Sequence, residues 1–260
     1  MPADSGRAPG DEAAGRAGRR ARPARALTLV IAVAGVLVLV AVTALVIVAK
    51  NHQQRALAGL RPSGIPPSVP SGLANLMVLS PLPRMPAPGF TLTDQRGRGL
   101  ALSQLRGKTV VLEFMDSRCT TICPLVSEEF IAAYHDLGPL AAKVVFAAVN
   151  VNPHHAAVRD VAQFSAEHQL TTIPGWHFFT GPGPRLREVW HAYNIGVQPR
   201  GPQADTVHTS IVYFVDPQGR ERYLASPMAD YTKAGAAFLP GGQITAWGRG
   251  IALVARSLVS

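Results

Sequence analysis

Between Ala26 and Ala49 the chain runs for 24 residues without a charged side chain, and almost every position is Leu, Val, Ile or Ala. As a helix rising ~1.5 Å per residue it would reach roughly 36 Å, enough to cross a hydrocarbon core with some tilt. The run is longer than the 7–15-residue apolar region usual in a cleaved secretory signal, so an uncleaved transmembrane anchor is predicted over 26–49. Arg16, Arg19, Arg20, Arg22 and Arg25 precede it, and Lys50 and Arg55 come after it. The positive-inside tendency then puts the N-terminus in the cytoplasm and the C-terminal part outside the cell membrane. Cleaved or not, the segment exports the C-terminal part to a compartment that permits disulfides.

The rest of the chain divides around this span. Residues 1–25 mix Arg, Ala, Gly and Pro and are expected to form a disordered cytoplasmic tail. Residues 50–85, with RPSGIPPSVPSG, are rich in Pro, Ser and Gly and suggest a partly extended stalk. Residues 86–260 carry the globular pattern. The net charge of +9 invites a nucleic-acid reading. However, residues 1–85 hold 10 Lys/Arg against 3 Asp/Glu, and residues 86–260 hold 15 against 13. The domain itself is only +2, so no nucleic-acid partner is expected.

Within 86–260, FTLTDQRGRGLAL predicts a hairpin, and TVVLEF (109–114) and KVVFAAVNV (143–151) predict buried strands. Helices are predicted over 124–136, 156–168 and 185–193. Further strands are predicted over 176–180 and 209–215, then a DPQG turn leading to a strand over 220–224, and a closing amphipathic helix over 244–258. Strands alternating with helices imply an α/β sheet covered on both faces.

Only two cysteines occur, in Cys119-Thr120-Thr121-Ile122-Cys123-Pro124, directly after a predicted strand and before a predicted helix. Pro124 suits the first helical position, which would make Cys123 the cap and bring both sulfurs to a helix N-terminus. A disulfide closing so short a loop would stabilise little. A redox pair and a metal clip both fit the spacing. Two thiolates and an imidazole suit Cu(I), and could hold Cu(II) with an added oxygen, whereas zinc usually takes a fourth ligand. Among eight histidines, His135 and His168 fall near helix ends, and His177 has the setting of a satisfied core residue. His154, His155 and His208 are the candidates at strand ends.

These residues resemble the Sco/SenC copper chaperones, which are membrane-anchored and thioredoxin-like. The resemblance covers roughly 86–258. It rests on Cys119 to Pro124 together with His-Thr-x-x-x-x-Phe-x-Asp-Pro-x-Gly from His208 to Gly219, supported by VNVNP (149–153) and FFTGPGPRLREVWHAYNI (178–195). It implies a thioredoxin-like fold with an N-terminal hairpin and an inserted loop or hairpin over 196–207 that could act as a mobile cover. It implies copper held by Cys119, Cys123 and His208 and delivered to the binuclear copper centre of a cytochrome c oxidase subunit. The alternative role is a thiol–disulfide oxidoreductase, with Cys119 and Cys123 as the redox pair reducing the acceptor's cysteines. Thr120 and Thr121 stand where many members carry Pro and Asp. Val207 stands where many carry Asp, with Asp205 nearby.

Overall fold

A computed structural model describes residues 35–50 and 63–259. Residues 35–50 are helical (α1) and exposed, and they belong to a compact unit separate from the one that starts at Ala58. Among the described residues no helix is long and apolar enough to cross a membrane. The span expected over 26–49 begins at residues that lie outside those described, as does the tail over 1–25.

In the second unit, the two longest apolar runs become the middle of a sheet. Strands β4 (Thr109–Met115) and β5 (Val144–Asn150) are buried at every position, as strands covered on both faces must be. They pair in parallel, Thr109 opposite Val144 and Met115 opposite Asn150. Helix α3 (Ile122–Leu137) connects them. Helix α4 (Val158–Glu167) then leads to β6 (Trp176–Phe179), parallel to β5. On the other flank β9 (Val212–Val215) runs antiparallel to β4, and β10 (Glu221–Ala225) antiparallel to β9. Their turn is the DPQG segment. Asp216 Oδ1 accepts from the amides of Gln218 and Arg220, and Gly219 supplies the positive φ of 80°.

Alternation along the strands divides the core in two. Val111, Met115, Phe146, Ala148, Trp176 and Phe178 face α3, α4 and the final helix α6 (Gln243–Leu258), where Phe130, Phe164, Trp247 and Ile251 pack. Val110, Leu112, Phe114, Val149 and Phe179 face α5 (Gly183–Ala192), where Trp190 packs beside Tyr193 and Tyr213. The predicted hairpin forms as β2 (Thr91–Thr93) and β3 (Gly99–Ala101) and adds Phe90 and Leu92 to this second face. The result is the predicted three-layer α/β arrangement.

Three expectations need correction. The stalk predicted over 50–85 does not extend to residue 85. Ile65, Val69, Ala74 of α2 (Ser71–Leu76), Met77 and Leu79 are buried in the α3/α6 core. Strand β1 (Ser80–Pro81) forms the sheet edge beside β10. The Pro and Gly content that read as linker also suits a chain that turns repeatedly over a core, and sparse apolar anchors at 65, 69, 74, 77 and 79 bind it down. The strand predicted over 209–215 begins at Val212, because Thr209 to Ile211 bridge from a preceding hairpin. That hairpin pairs β7 (Val197–Gln198) with β8 (Val207–His208), so His208 lies on a strand of the insert.

Helices α3 and α6 touch closely at Gly248. A Cβ there would stand 2.5 Å from Ala132 Cβ and 3.0 Å from the Ala133 backbone nitrogen. Gly248→Val is expected to cost about 2–3 kcal/mol by forcing these helices apart. The measurement is a lower denaturant midpoint at unchanged slope.

Candidate functional site

Strand β4 ends in Met115, and the next eight residues carry both thiols. Cys119 and Cys123 are free and buried. Cys123 is not the helix cap. Thr121 holds that position, Ile122 and Cys123 are the first two helical residues, and Pro124 is the third. Proline is tolerated there for the reason that suggested the first position, since none of the opening N–H groups has a partner within the helix. Thr121 makes no side-chain cap. Instead, Cys119 Sγ accepts from the Cys123 N–H at 3.4 Å and lies 3.5 Å from the Thr121 hydroxyl.

These contacts divide the two thiols electrically. Hydrogen bonding from the Cys123 thiol, and then from Thr121 and the backbone, outweighs burial and brings the Cys119 pKa down to about 7. Cys123 is pushed well above the ordinary thiol value by its interaction with Cys119 and by burial. The pair therefore holds one thiolate near neutral pH, centred on Cys119. Cys119 also lines a cavity of about 420 Å³ against α4, with Pro124, Phe164 and His168 in its walls.

His208 is half-buried, and its Nδ1 lies 3.0 Å from the Thr209 carbonyl. Donating there leaves Nε2 as its ligand atom. Burial lowers its pKa, opposed by Asp116 and Asp205, so the neutral, ligating form is favoured. The structure brings the thiols together. It does not place His208 in a ready-made group with them: among the described residues no three His, Cys, Asp or Glu side chains already sit close enough to hold a metal ion.

What joins the histidine's hairpin to the cysteine loop is a set of residues that sequence reasoning missed. Asp116, fully buried, accepts from the Arg118 amide (2.7 Å) and Asn152 Nδ2 (2.8 Å) on one oxygen, and from the Thr206 amide (2.7 Å) on the other. Asp205 accepts from the Thr120 amide and hydroxyl at 3.1 and 3.2 Å. His155 Nε2 meets the Pro202 carbonyl at 2.7 Å. The insert predicted to be a mobile cover is thus tied down at residues 202, 205 and 206. Asn150 and Asn152 hold the loop after β5 against Ser117, His154 and His155. His155 therefore acts as a strut through its Nε2. His177 is the satisfied core residue expected, 3.2 Å from Asp94. The available signal for this network was a polar residue at the C-terminal end of each central strand, Asp116 after β4, and Asn150 at the end of β5 with Asn152 beyond it.

Beneath the thiols lie two further buried carboxyls. Glu113 sits among apolar neighbours in β4 and accepts from the Ser210 hydroxyl at 2.8 Å. Glu113 Oε2 and Glu129 Oε2 have no partner among the described residues. Burial raises Glu113 to about 8, and burial with repulsion from Glu113 and Glu128 raises Glu129 to about 9. Both values lie above the ordinary 4.5, so both groups are protonated when folded at neutral pH. Their contribution to stability is present below pH ~4.5 and is lost as pH rises through 8 and 9. The unfolding free energy from denaturant titration is expected to fall between pH 6 and 9, by on the order of a few kcal/mol in total. Glu129→Gln, neutral throughout, is expected to flatten that decline. An equal slope in the variant would assign the decline to other groups.

Residues 83–236 match the family described as SCO1/SenC. A curated relative, the SCO1 protein homolog of Bacillus subtilis, is 24% identical over 133 residues, half of this chain and 68% of that protein. Among solved structures, copper-bound ScoI of Arabidopsis thaliana superposes with a TM-score of 0.53 at 19% identity, covering 66% of this chain and 98% of that one. A SCO1/SenC family lipoprotein of Bacillus anthracis gives 0.55 at 20% identity, covering 70% and 98%. Apo Sco1 of Thermus thermophilus gives 0.52 at 24% identity, covering 68% and 93%. The likeness supports the thioredoxin-like fold.

Proposed function

The chain belongs to the SCO1/SenC family, and from that premise we propose that it is a copper carrier whose cargo is held by Cys119, Cys123 and His208. The observation that carries this reading is the thiol pair at the start of α3, with the Cys119 pKa down at about 7. Such a pair yields its protons to a soft metal without extreme pH, and thiolate sulfur with imidazole nitrogen is the donor set that Cu(I) favours. His208 supplies Nε2, and loading draws it towards the sulfurs from a hairpin already tied to their loop. Cargo then leaves by ligand exchange, the acceptor's donors replacing the chain's own one at a time.

The acceptor that the resemblance implies is the binuclear copper centre of a cytochrome c oxidase subunit. We place the domain at the outer face of the cell membrane, on an anchor formed by residues 26–49 with the N-terminus inside. The test of the ligand set is titration of the purified full chain with Cu(I) and Cu(II). Tight binding that survives both Cys119→Ser and His208→Ala would sink it.

One observation favours a second reading. Both thiols are free, and one is ionised far more readily than the other. That is the arrangement of a dithiol reductant, in which the Cys119 thiolate attacks an acceptor disulfide and Cys123 resolves the mixed disulfide. Growth of a deletion strain separates the two. Rescue of oxidase activity by added copper supports delivery, and failure of rescue supports reduction of the acceptor's cysteines.

A further inference from the structure

The domain's small net charge hides a concentrated one. Of the 15 Lys/Arg in residues 86–260, Arg96, Arg98, Arg106 and Lys108 line one cavity of about 460 Å³, together with Gln104 and His177. Its other walls come from Leu105, Val145, Pro174 and Gly175, so no Phe, Tyr or Trp ring is available for an aromatic ligand. It opens at the edge of the sheet where β4, β5 and β6 begin, opposite the edge that carries Cys119.

Carboxylates nearby do not neutralise it. Asp94 is fully buried and accepts from the amides of Arg96 and Arg98, from the Arg98 guanidinium at 2.8 Å and from His177. Asp216 is held by Arg220 at 3.0 Å and Arg222 at 3.4 Å. Counting these six cations against Asp94, Asp216 and Glu221, which lies between Arg220 and Arg222, leaves +3 at this edge, against +2 for the whole of 86–260. Arg106 and Lys108 are exposed, and their side chains make no hydrogen bond or ion pair among the described residues. The carbonyl of Gln104 accepts from the Ala101 amide, so its NH₂ is the end left to donate.

We propose that this cavity is a binding site for a phosphate-bearing ligand, with Arg106 and Lys108 gripping the phosphate and Arg96 and Arg98 supplying field around it. The donor inventory is one-sided: the lining carries cationic N–H groups and an amide NH₂, with Arg106 and Lys108 unspent, while Arg96 already donates to the Trp176 carbonyl and Arg98 to Asp94. A concave wall of one sign also concentrates field on whatever enters. The volume falls within the range of small-ligand pockets and exceeds what a lone inorganic ion fills. The phosphate can come from a soluble phosphorylated molecule or from a phospholipid headgroup. Either source would be engaged on the edge away from the thiols, leaving the copper site free.

The test is calorimetric titration of the full chain in neutral detergent. One arm uses sodium pyrophosphate and the other short-chain phosphatidylglycerol. Saturable binding is expected in at least one arm, weakened by ~10-fold or more in Arg106→Ala/Lys108→Ala, since two charge-assisted contacts are removed. Tighter binding of pyrophosphate assigns a soluble ligand, and tighter binding of the lipid assigns a headgroup. No saturable binding in either arm overturns the proposal, as does equal binding by wild type and variant. Copper titration of the variant is expected to match wild type, so the proposal fails or stands independently of the thiol site. If the double variant melts early, Lys108→Gln alone serves for the same comparison.

Discussion

Cys123→Ala is expected to abolish tight Cu(I) binding, with a loss of at least ~100-fold. That figure is a floor, because outer partners of a metal ligand already cost 10–100-fold when removed. Two effects combine. A soft thiolate is replaced by a methyl group that binds no metal. The remaining thiol also changes character, because the Cys123 side chain is the largest influence holding the Cys119 pKa at about 7. Without it Cys119 rises towards the ordinary thiol value, so less thiolate is present at neutral pH. Competition against a coloured Cu(I) chelator measures the first effect, and the pH profile of Cys119 alkylation measures the second. A variant that kept both wild-type affinity and a wild-type alkylation profile would remove Cys123 from the site.

The second large effect is expected at Asp116. Its carboxylate accepts from Arg118, Asn152 and Thr206, from three separate segments, at 2.7–2.8 Å. Asp116→Ala strands all three donors in a buried place. Each orphaned group costs about 1–3 kcal/mol and the costs are not additive, so a total of about 3–5 kcal/mol is expected. Asp116→Asn is the sharper experiment. Its one carbonyl oxygen can still serve Arg118 and Asn152, but its NH₂ then faces the Thr206 amide, donor against donor. The hairpin bearing His208 is expected to loosen while the rest of the fold holds. Hydrogen exchange at the Thr206 amide should rise and copper affinity should fall, with melting less affected than in Asp116→Ala.

The architecture was legible because its strongest signals are local. TVVLEF and KVVFAAVNV are too apolar and β-branched for anything but buried strands. The DPQG turn and the hairpin around Gly97 declare themselves by turn chemistry. Residues 63–85 were misread because their burial depends on single side chains such as Met77 and Leu79 meeting distant parts of α3 and α6. No periodicity records that. The thiols were legible by spacing. His208 rose above the other histidines only through the resemblance, and its distance from a ready-made ligand group shows why spacing alone was silent. Asp116 and Asp205 were missed because the partners through which they join the insert to the cysteine loop are 90 and 85 residues away. Nothing near Asp116 in the sequence shows that its carboxylate is the knot of three loops.

The sulfur of Cys119 takes the place at the start of α3 that a serine or aspartate oxygen fills in most helices. Helix capping here is therefore a reversible chemical state. A thiolate is a good acceptor for the Cys123 amide, a protonated thiol a weaker one, and a sulfur engaged with a metal or a second sulfur weaker still. Each change of cargo or oxidation state is written into the environment of one backbone N–H. In an ¹⁵N-resolved spectrum of the protein that single resonance would report, without any label on the ligand, whether the chain is empty, loaded or oxidised.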